Sequence, residues 1–274
     1  MIYYFLHRNI AVLYVPMVKS LIVFCESSSA LIMKKFIILI YGLISYAIGL
    51  GGLSYFFLFV GGWEFLPFHV DSGTPSGTAS AVAVNLALVL LFAVHHSIAA
   101  RSSFKRASTS VIPRAIERST YVLFSGIILL LMCYQWRAIP GTIWRLDNSF
   151  VQIFLISLQL MGWTIVVAAT FMINHFELMG LQRVYYYFRA TPEPTPEFTD
   201  RFLYKIVRHP IQFGLLLGLW STPYMSAAHL LLSLSLTVYI FVGLYFEEID
   251  LCKLLGADYE NYRDRVRMLI PIPK

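Results

Sequence analysis

Charge is what this sequence has least of. Asp, Glu, Lys and Arg make up 13% of the 274 residues, and apolar residues make up 58%. Soluble domains carry roughly 25% charged residues, so this chain lacks the groups to cover a water-facing surface. A mean hydropathy of +0.69 says the same. Cysteine is scarce too: Cys25, Cys133 and Cys252 are far apart, odd in number and form no CxxC pair. A disulfide framework and a Cys-rich metal site are excluded. No HxxxH or ExxH pair offers haem or di-metal spacing, so no metal is expected. There is no Gly-rich phosphate loop, zinc-finger spacing, RNP-type motif or long basic tail, hence no nucleic-acid partner. Disorder, coiled coil and an ordinary soluble enzyme fall away, leaving a polytopic membrane protein.

Long apolar runs are what the sequence does have. A helix needs about 20 apolar residues to cross the hydrocarbon core. Residues 36–60, 78–98, 119–136 and 150–173 each fit one crossing. Residues 210–246 are uncharged throughout and too long for a single helix at about 1.5 Å per residue. Ser221, Thr222 and Pro223 interrupt them, and Pro cannot continue a helix cleanly. This run predicts a hairpin of two helices turning between Trp220 and His229. The expected fold is all-α, with about six transmembrane helices, a C-terminal helical hairpin and a cytoplasmic amphipathic helix. On that last helix Tyr259, Tyr262 and Val266 fall at i, i+3 and i+7.

Loop charges alternate. Lys34 and Lys35 precede the first span; Arg101, Lys105, Arg106, Arg114 and Arg118 follow the second; Arg183, Arg189, Arg201, Lys205 and Arg208 follow the fourth; Lys253, Arg263, Arg265, Arg267 and Lys274 lie in the tail. Of basic residues the intervening loops hold only Arg137 and Arg145, and the first of them carries Glu64 and Asp71. Basic residues mark the cytoplasmic side, so both termini are expected inside, in a bacterial inner membrane. The excess of 21 basic over 15 acidic residues belongs to this orientation.

Residues 1–32 fit this scheme badly. Residues 10–24 are apolar but broken by Pro16 and Lys19. Met33, Lys34 and Lys35 read as a bacterial start just before the first span. Residues 1–32 are therefore expected to be an extension, and residues 33–274 one integral-membrane domain. Residues 174–209 form the longest polar segment, and its Pro-rich stretch 191–196 is expected to be extended and stiff.

Ionisable residues are costly in a bilayer and gather where they work. Here they gather at the cytoplasmic span ends: His95 and His96; Asn174, His175 and Glu177; Arg208 and His209; Glu247, Glu248 and Asp250. Carboxylates are unfavourable at a helix C-terminus, so Glu247 and Glu248 predict a cationic partner. The plainer alternatives are an interfacial His pair satisfied by backbone and ordinary Tyr anchoring at the membrane surface.

One pattern runs through the C-terminal third: Arg208-His209-Pro210, Gly214, an apolar hairpin, Glu247-Glu248-x-x-Leu251, Gly256-x-x-Tyr259-x-x-Tyr262, Val266 and Ile270-Pro271. It resembles the isoprenylcysteine carboxyl methyltransferase-like superfamily. Further motifs are His95-His96-Ser97-x-x-x-Arg101, Phe104-Lys105, Ile112-Pro113, Glu117-Arg118-Ser119-Thr120-Tyr121, Gln135-Trp136-Arg137 and Asn174-His175-Phe176-Glu177-Leu178-x-Gly180-Leu181. These resemble one branch of it, the nurim-like bacterial methanethiol S-methyltransferases. Together the likeness covers roughly residues 33–271. It departs at Gln212, where the superfamily carries a Tyr; Phe213 follows.

The resemblance implies methyl transfer from S-adenosyl-L-methionine to a small thiol, methanethiol, giving dimethyl sulfide at the cytoplasmic face. The expected partners are that thiol and the lipid bilayer, with no obligate protein partner. Cofactor binding is expected of Arg208, His209, Gln212, Glu247, Glu248, Tyr259 and Tyr262. The acidic pair would face the donor's positive groups, and Arg208, His209 or Arg265 its carboxylate. A thiol must become thiolate to be a strong nucleophile, and a His near neutrality suits that task. His175 is the favoured base, with His95 and His96 as the others, and Arg265 completes the candidate catalytic set. Two competing readings share the architecture: another enzyme, either an isoprenylcysteine-type carboxyl methyltransferase or an NADPH-dependent membrane reductase, and a non-enzymatic nurim-like protein. The first is separated by which cofactor stabilises the protein.

Overall fold

The computed structural model describes residues 28–73, 76–194 and 198–272. The apolar stretch at 10–24 lies outside the described residues. The first helix, α1 (Ser28–Val60), runs through Met33 without a break. It is followed by α2 (Thr78–Ala100), α3 (Ser102–Ser108) and α4 (Arg114–Gln135). Next come strand β1 (Thr142–Arg145), α5 (Ser149–Ile173), α6 (His175–Leu178) and α7 (Leu181–Arg189). A 3-10 turn at Phe202–Lys205 leads to α8 (Pro210–Trp220), β2 (Tyr224–Ser226), α9 (Ala227–Leu255) and α10 (Ala257–Arg265).

Helix is the only way an unpaired apolar run can satisfy its backbone in hydrocarbon. Local signals set where the helices begin. The Asn148 side chain accepts a 3.2 Å hydrogen bond from Val151 N at the start of α5, Ser226 accepts one of 3.0 Å from His229 N at the start of α9, and Pro210 opens α8, where its missing N–H does no harm. Among the described residues, five helices, α1, α2, α4, α5 and α9, are long and apolar enough to cross a membrane. Their outer faces are apolar: Leu90, Ile153 and Val238 are 63%, 66% and 63% exposed. The fold is all-α and polytopic.

The expected hairpin is present, but its first arm is a half-length helix. The 11 residues of α8 rise about 16 Å, half of a hydrocarbon core of about 30 Å. An extended stretch carries the chain onward. Thr222 O accepts from Trp144 Nε1 at 3.0 Å, Pro223 O accepts from Leu146 N at 3.0 Å, and β2 pairs antiparallel with β1. Because β1 stands just before α5, this brings the chain to the end where α5 starts. Helix α8 lies directly on α5. A Cβ on Gly162 would come within 2.7 Å of Gly214 O and Gly218 N. Small residues spaced by four let two backbones touch where lipid offers no hydrophobic drive for association.

The chain divides into two compact units, with boundaries inside α1, α2 and α4. One holds residues 28–52, 94–127 and 176–194. Its core joins Ile38, Ile112, Ala115, Ile116 and Val184. The segment 174–209, expected as a polar loop, contributes α7 to this core through Val184, which seats on Gly42. Glu117, buried, pairs with Arg183 at 3.0 Å. Arg118 Nε donates to Leu178 O at 3.0 Å, and Ser119 Oγ donates to Gly180 O at 2.9 Å. The other unit holds residues 53–93, 128–175 and 198–272. Its core includes Phe59, Met132, Trp136, Trp163, Leu219, Leu232 and Leu244, with the Phe57 and Trp163 rings stacked at 4.3 Å.

Candidate active site

Two segments far apart in sequence build the polar centre of the second unit. The chain leading into α8 runs beside the chain leaving α10. Arg208 N donates to Arg267 O at 2.9 Å, and His209 N donates to Met268 O at 3.1 Å. This pairing holds the two side chains against the end of α9. There Glu248 Oε1 accepts from His209 Nε2 at 2.6 Å, from Tyr259 Oη at 2.8 Å and from Arg208 Nε at 2.9 Å. Its Oε2 accepts from Arg208 Nη2 at 2.9 Å. Arg208 Nη1 donates to Val266 O at 2.6 Å, which ties the end of α10 into the same set.

The electrostatics explain why so much charge sits where little water reaches. Arg208, His209 and Glu248 side chains are 8%, 4% and 14% exposed. A buried charge is tolerated when it is paired and its remaining hydrogen-bonding capacity is filled. Glu248 supplies the anion that offsets the Arg208 cation, and three donors cover its oxygens. The expected cationic partner is Arg208, but α9 runs on to Leu255, so Glu248 stands two turns inside the helix and it is burial, not a helix end, that calls for the cation.

The predicted stripe on α10 points inward. Tyr259, Tyr262 and Val266 form a buried cluster with Leu251, Cys252 and Leu255 beside it. Tyr262 Oη donates to Tyr204 O at 2.6 Å. Burial pushes the Tyr262 phenol up to about 12. Tyr259 is raised by burial and by its bond to Glu248, and Tyr204 by burial and by Glu247. All three phenols stay protonated at physiological pH, and those of Tyr259 and Tyr262 donate. Phe198 lies edge-on to both ring 259 and ring 262.

Adjacent glutamates have different surroundings, because successive residues of a helix point about 100° apart. Glu247 is 47% exposed. Its Oε2 accepts from Gln212 Nε2 at 3.3 Å and lies 3.7 Å from His209 Nδ1. An accessible carboxylate and an amide thus lie together over the buried His209 ring. Arg265 is exposed, and its Nε donates to Asn261 O on its own helix at 3.2 Å.

The three candidate bases are distributed over both units. His175 opens α6, buried in the second unit, with Nδ1 at 2.9 Å from Thr170 Oγ1 and its ring stacked on Phe171 at 4.2 Å. Loss of hydration lowers its pKa below the ordinary His value. His95 and His96 are in the first unit. The ring nitrogens of His96 lie 2.8 and 3.0 Å from Tyr121 Oη. His95 Nε2 is 3.5 Å from Tyr121 O, and the ring lines a small hollow with Phe104, Glu117, Thr120 and Tyr121.

Sequence reasoning missed several of these partners. Thr170 is one; its signal was a hydroxyl in the last turn of an apolar helix just before a His. Tyr204 is another and had no signal, because only its carbonyl is used. The pair of buried Glu117 and partly exposed Arg183 spans 66 residues, and no local pattern links its members.

The profile of the NnrU protein family matches residues 84–249. Methanethiol S-methyltransferase 1 of Bradyrhizobium diazoefficiens is 44% identical over 86% of this chain and 83% of its own length. Methanethiol S-methyltransferase of Mycobacterium tuberculosis is 44% identical over 88% of this chain and 98% of its own. Nurim of Rattus norvegicus is 31% identical over 63% of this chain and 68% of its own. No solved structure matches. The profile covers more than half of the chain and the two enzymes are matched over most of their lengths, so the chain belongs to the NnrU family, with the methanethiol S-methyltransferases, and is an integral-membrane methyltransferase.

Proposed function

We propose that this methyltransferase transfers a methyl group from S-adenosyl-L-methionine to methanethiol, forming dimethyl sulfide at the cytoplasmic face of a bacterial inner membrane, with both termini on that side. The alternation of basic loops supports the orientation. The observation that carries the reading is the Arg208, His209, Glu248 and Tyr259 cluster beside an accessible Glu247, in a chain 44% identical to enzymes named for that reaction.

The residues fit a donor that bears positive charge. Both oxygens of Glu248 are filled by bonds from the chain, so it holds the wall of the site. Glu247 offers an exposed carboxylate to a cationic group, and Gln212 adds an amide where the superfamily has a Tyr. Arg208 and His209 hold Glu248 and the end of α10, and Tyr259 and Tyr262 keep that end closed over apolar surface. When bound, the donor supplies an electrophilic methyl on a sulfonium. The protein's task is to hold the acceptor sulfur in line, exclude water and remove the thiol proton. His175 is the favoured base; His95, His96 and Arg265 complete the candidate set.

Headspace gas analysis of cells expressing the gene and fed methanethiol tests the reaction. Dimethyl sulfide is expected; its absence with the protein present in the membrane defeats the assignment. Thermal stabilisation of the purified protein by S-adenosyl-L-methionine, with none from NADPH, tests the donor.

A further inference from the structure

His175 Nδ1 and Thr170 Oγ1 are 2.9 Å apart, a distance at which either atom could donate. The threonine decides which. A hydroxyl has one hydrogen to give and lone pairs to receive with. Thr170 Oγ1 also lies 2.7 Å from Val167 O, and a carbonyl only accepts. The hydroxyl hydrogen is therefore committed to Val167, and the oxygen meets the ring as an acceptor. The hydrogen between Thr170 and His175 belongs to Nδ1. A neutral imidazole carries one N–H, so its basic lone pair is on Nε2. The ring cannot easily swing away: it lies at 9° to Phe171, buried, at the first position of α6.

We propose that Thr170 is a positioning residue for the reaction: its hydroxyl holds His175 in the Nδ1–H tautomer and makes Nε2 the atom that accepts the thiol proton. This rests on the reading of His175 as the base. The S–H proton passes to Nε2 while its electron pair stays on sulfur. That pair forms the new bond to the methyl carbon as the bond from the methyl to the donor's sulfonium breaks, the breaking pair remaining on the donor sulfur. The imidazolium then gives its proton to water. Val167 contributes only its backbone oxygen, so any side chain at 167 serves, whereas position 170 requires a hydroxyl. Valine there has the shape of threonine but no acceptor. Nδ1–H would face apolar surface, and an unmade buried hydrogen bond is expensive. The ring then shifts to the Nε2–H form, which has no lone pair on the working nitrogen.

The test uses full-length protein labelled with 15N-histidine in lipid nanodiscs, with His175 assigned by difference from His175→Asn. The wild type is expected to show the pyridine-type nitrogen at Nε2. Thr170→Val should move it to Nδ1 and lower kcat about 10- to 100-fold, less than the roughly 100- to 10,000-fold that a positioned base itself contributes. Thr170→Ser should restore both, since serine can bond the same carbonyl and ring; it also serves if the valine variant does not fold. A wild-type spectrum with the pyridine-type nitrogen at Nδ1 overturns the proposal whatever the kinetics. So does a valine variant whose tautomer switches while kcat stays unchanged. His175→Ala separates the levels: full turnover there brings down the base reading and the role of Thr170 with it, while the tautomer assignment stands.

Discussion

Glu248 and His209 are 39 residues apart in sequence and 2.6 Å apart in space. That contact joins the start of α8 to the end of α9, and Arg208 and Tyr259 close around the same carboxylate. It turns a row of separated polar residues into one electrostatic unit, in which an Arg cation and a Glu anion are both removed from water and both satisfied.

Removing the Glu248 carboxylate should therefore damage the fold and the site together. Glu248→Ala leaves Arg208 buried without its anion, and breaking a pair of this kind costs about 3 kcal/mol. A clear fall in the thermal midpoint and weakened S-adenosyl-L-methionine binding by calorimetry are expected. Unchanged binding in the folded variant counts against the cluster as part of the donor site.

Glu247 should behave differently. It is half exposed, and its partners Gln212 and His209 lie at 3.3 and 3.7 Å, so Glu247→Gln should leave the thermal midpoint nearly unchanged. Donor affinity should fall roughly 10-fold, the size of one lost charge-assisted contact. Equal stability losses at 247 and 248 would contradict the division of labour between the two glutamates.

Tyr262→Phe keeps the ring and removes the hydrogen bond to Tyr204 O. The buried carbonyl is left without its donor, for a loss of about 1 kcal/mol. Denaturant or thermal unfolding of the variant beside the wild type measures it.

Acid should destabilise the protein partly through His175. Burial lowers its folded pKa, while the unfolded side chain titrates near pH 6.5. Below that value the unfolded state binds more protons, so stability falls as the pH drops from about 6.5 and levels off once the folded pKa is passed. Thermal unfolding from pH 8 to 5 should show a steeper loss for the wild type than for His175→Gln. Parallel curves would mean that His175 is not held neutral by burial.

Gly162 should tolerate no side chain. A Cβ there meets the backbone of Gly214 and Gly218 at 2.7 Å, whereas nothing lies within 4 Å of a Cβ at Gly243. Gly162→Val should abolish folded protein in the membrane, and Gly243→Ala should express normally. Comparable yields of the two would show that α5 and α8 are not in backbone contact.

Much of this protein is determined by sequence alone, because its signals are local. Charge-free runs become helices wherever hydrocarbon leaves the backbone no other partner, so residues 150–173 and 78–98 were legible to within a residue or two. The inward stripe of Tyr259, Tyr262 and Val266 follows from helical periodicity. Tertiary structure decided what depends on partners distant in the chain. It made α8 a half-length helix, because glycines 162, 214 and 218 draw α8 onto α5 and the chain then leaves as a strand paired with β1. It drew α7 out of the polar loop at 174–209 by giving Val184 a seat on Gly42. It gave Glu248 to Arg208 and His209 and left Glu247 open, a difference set by 100° of helix rotation against a neighbour that the sequence does not name. Periodicity says which face of a helix is buried; only packing says against what.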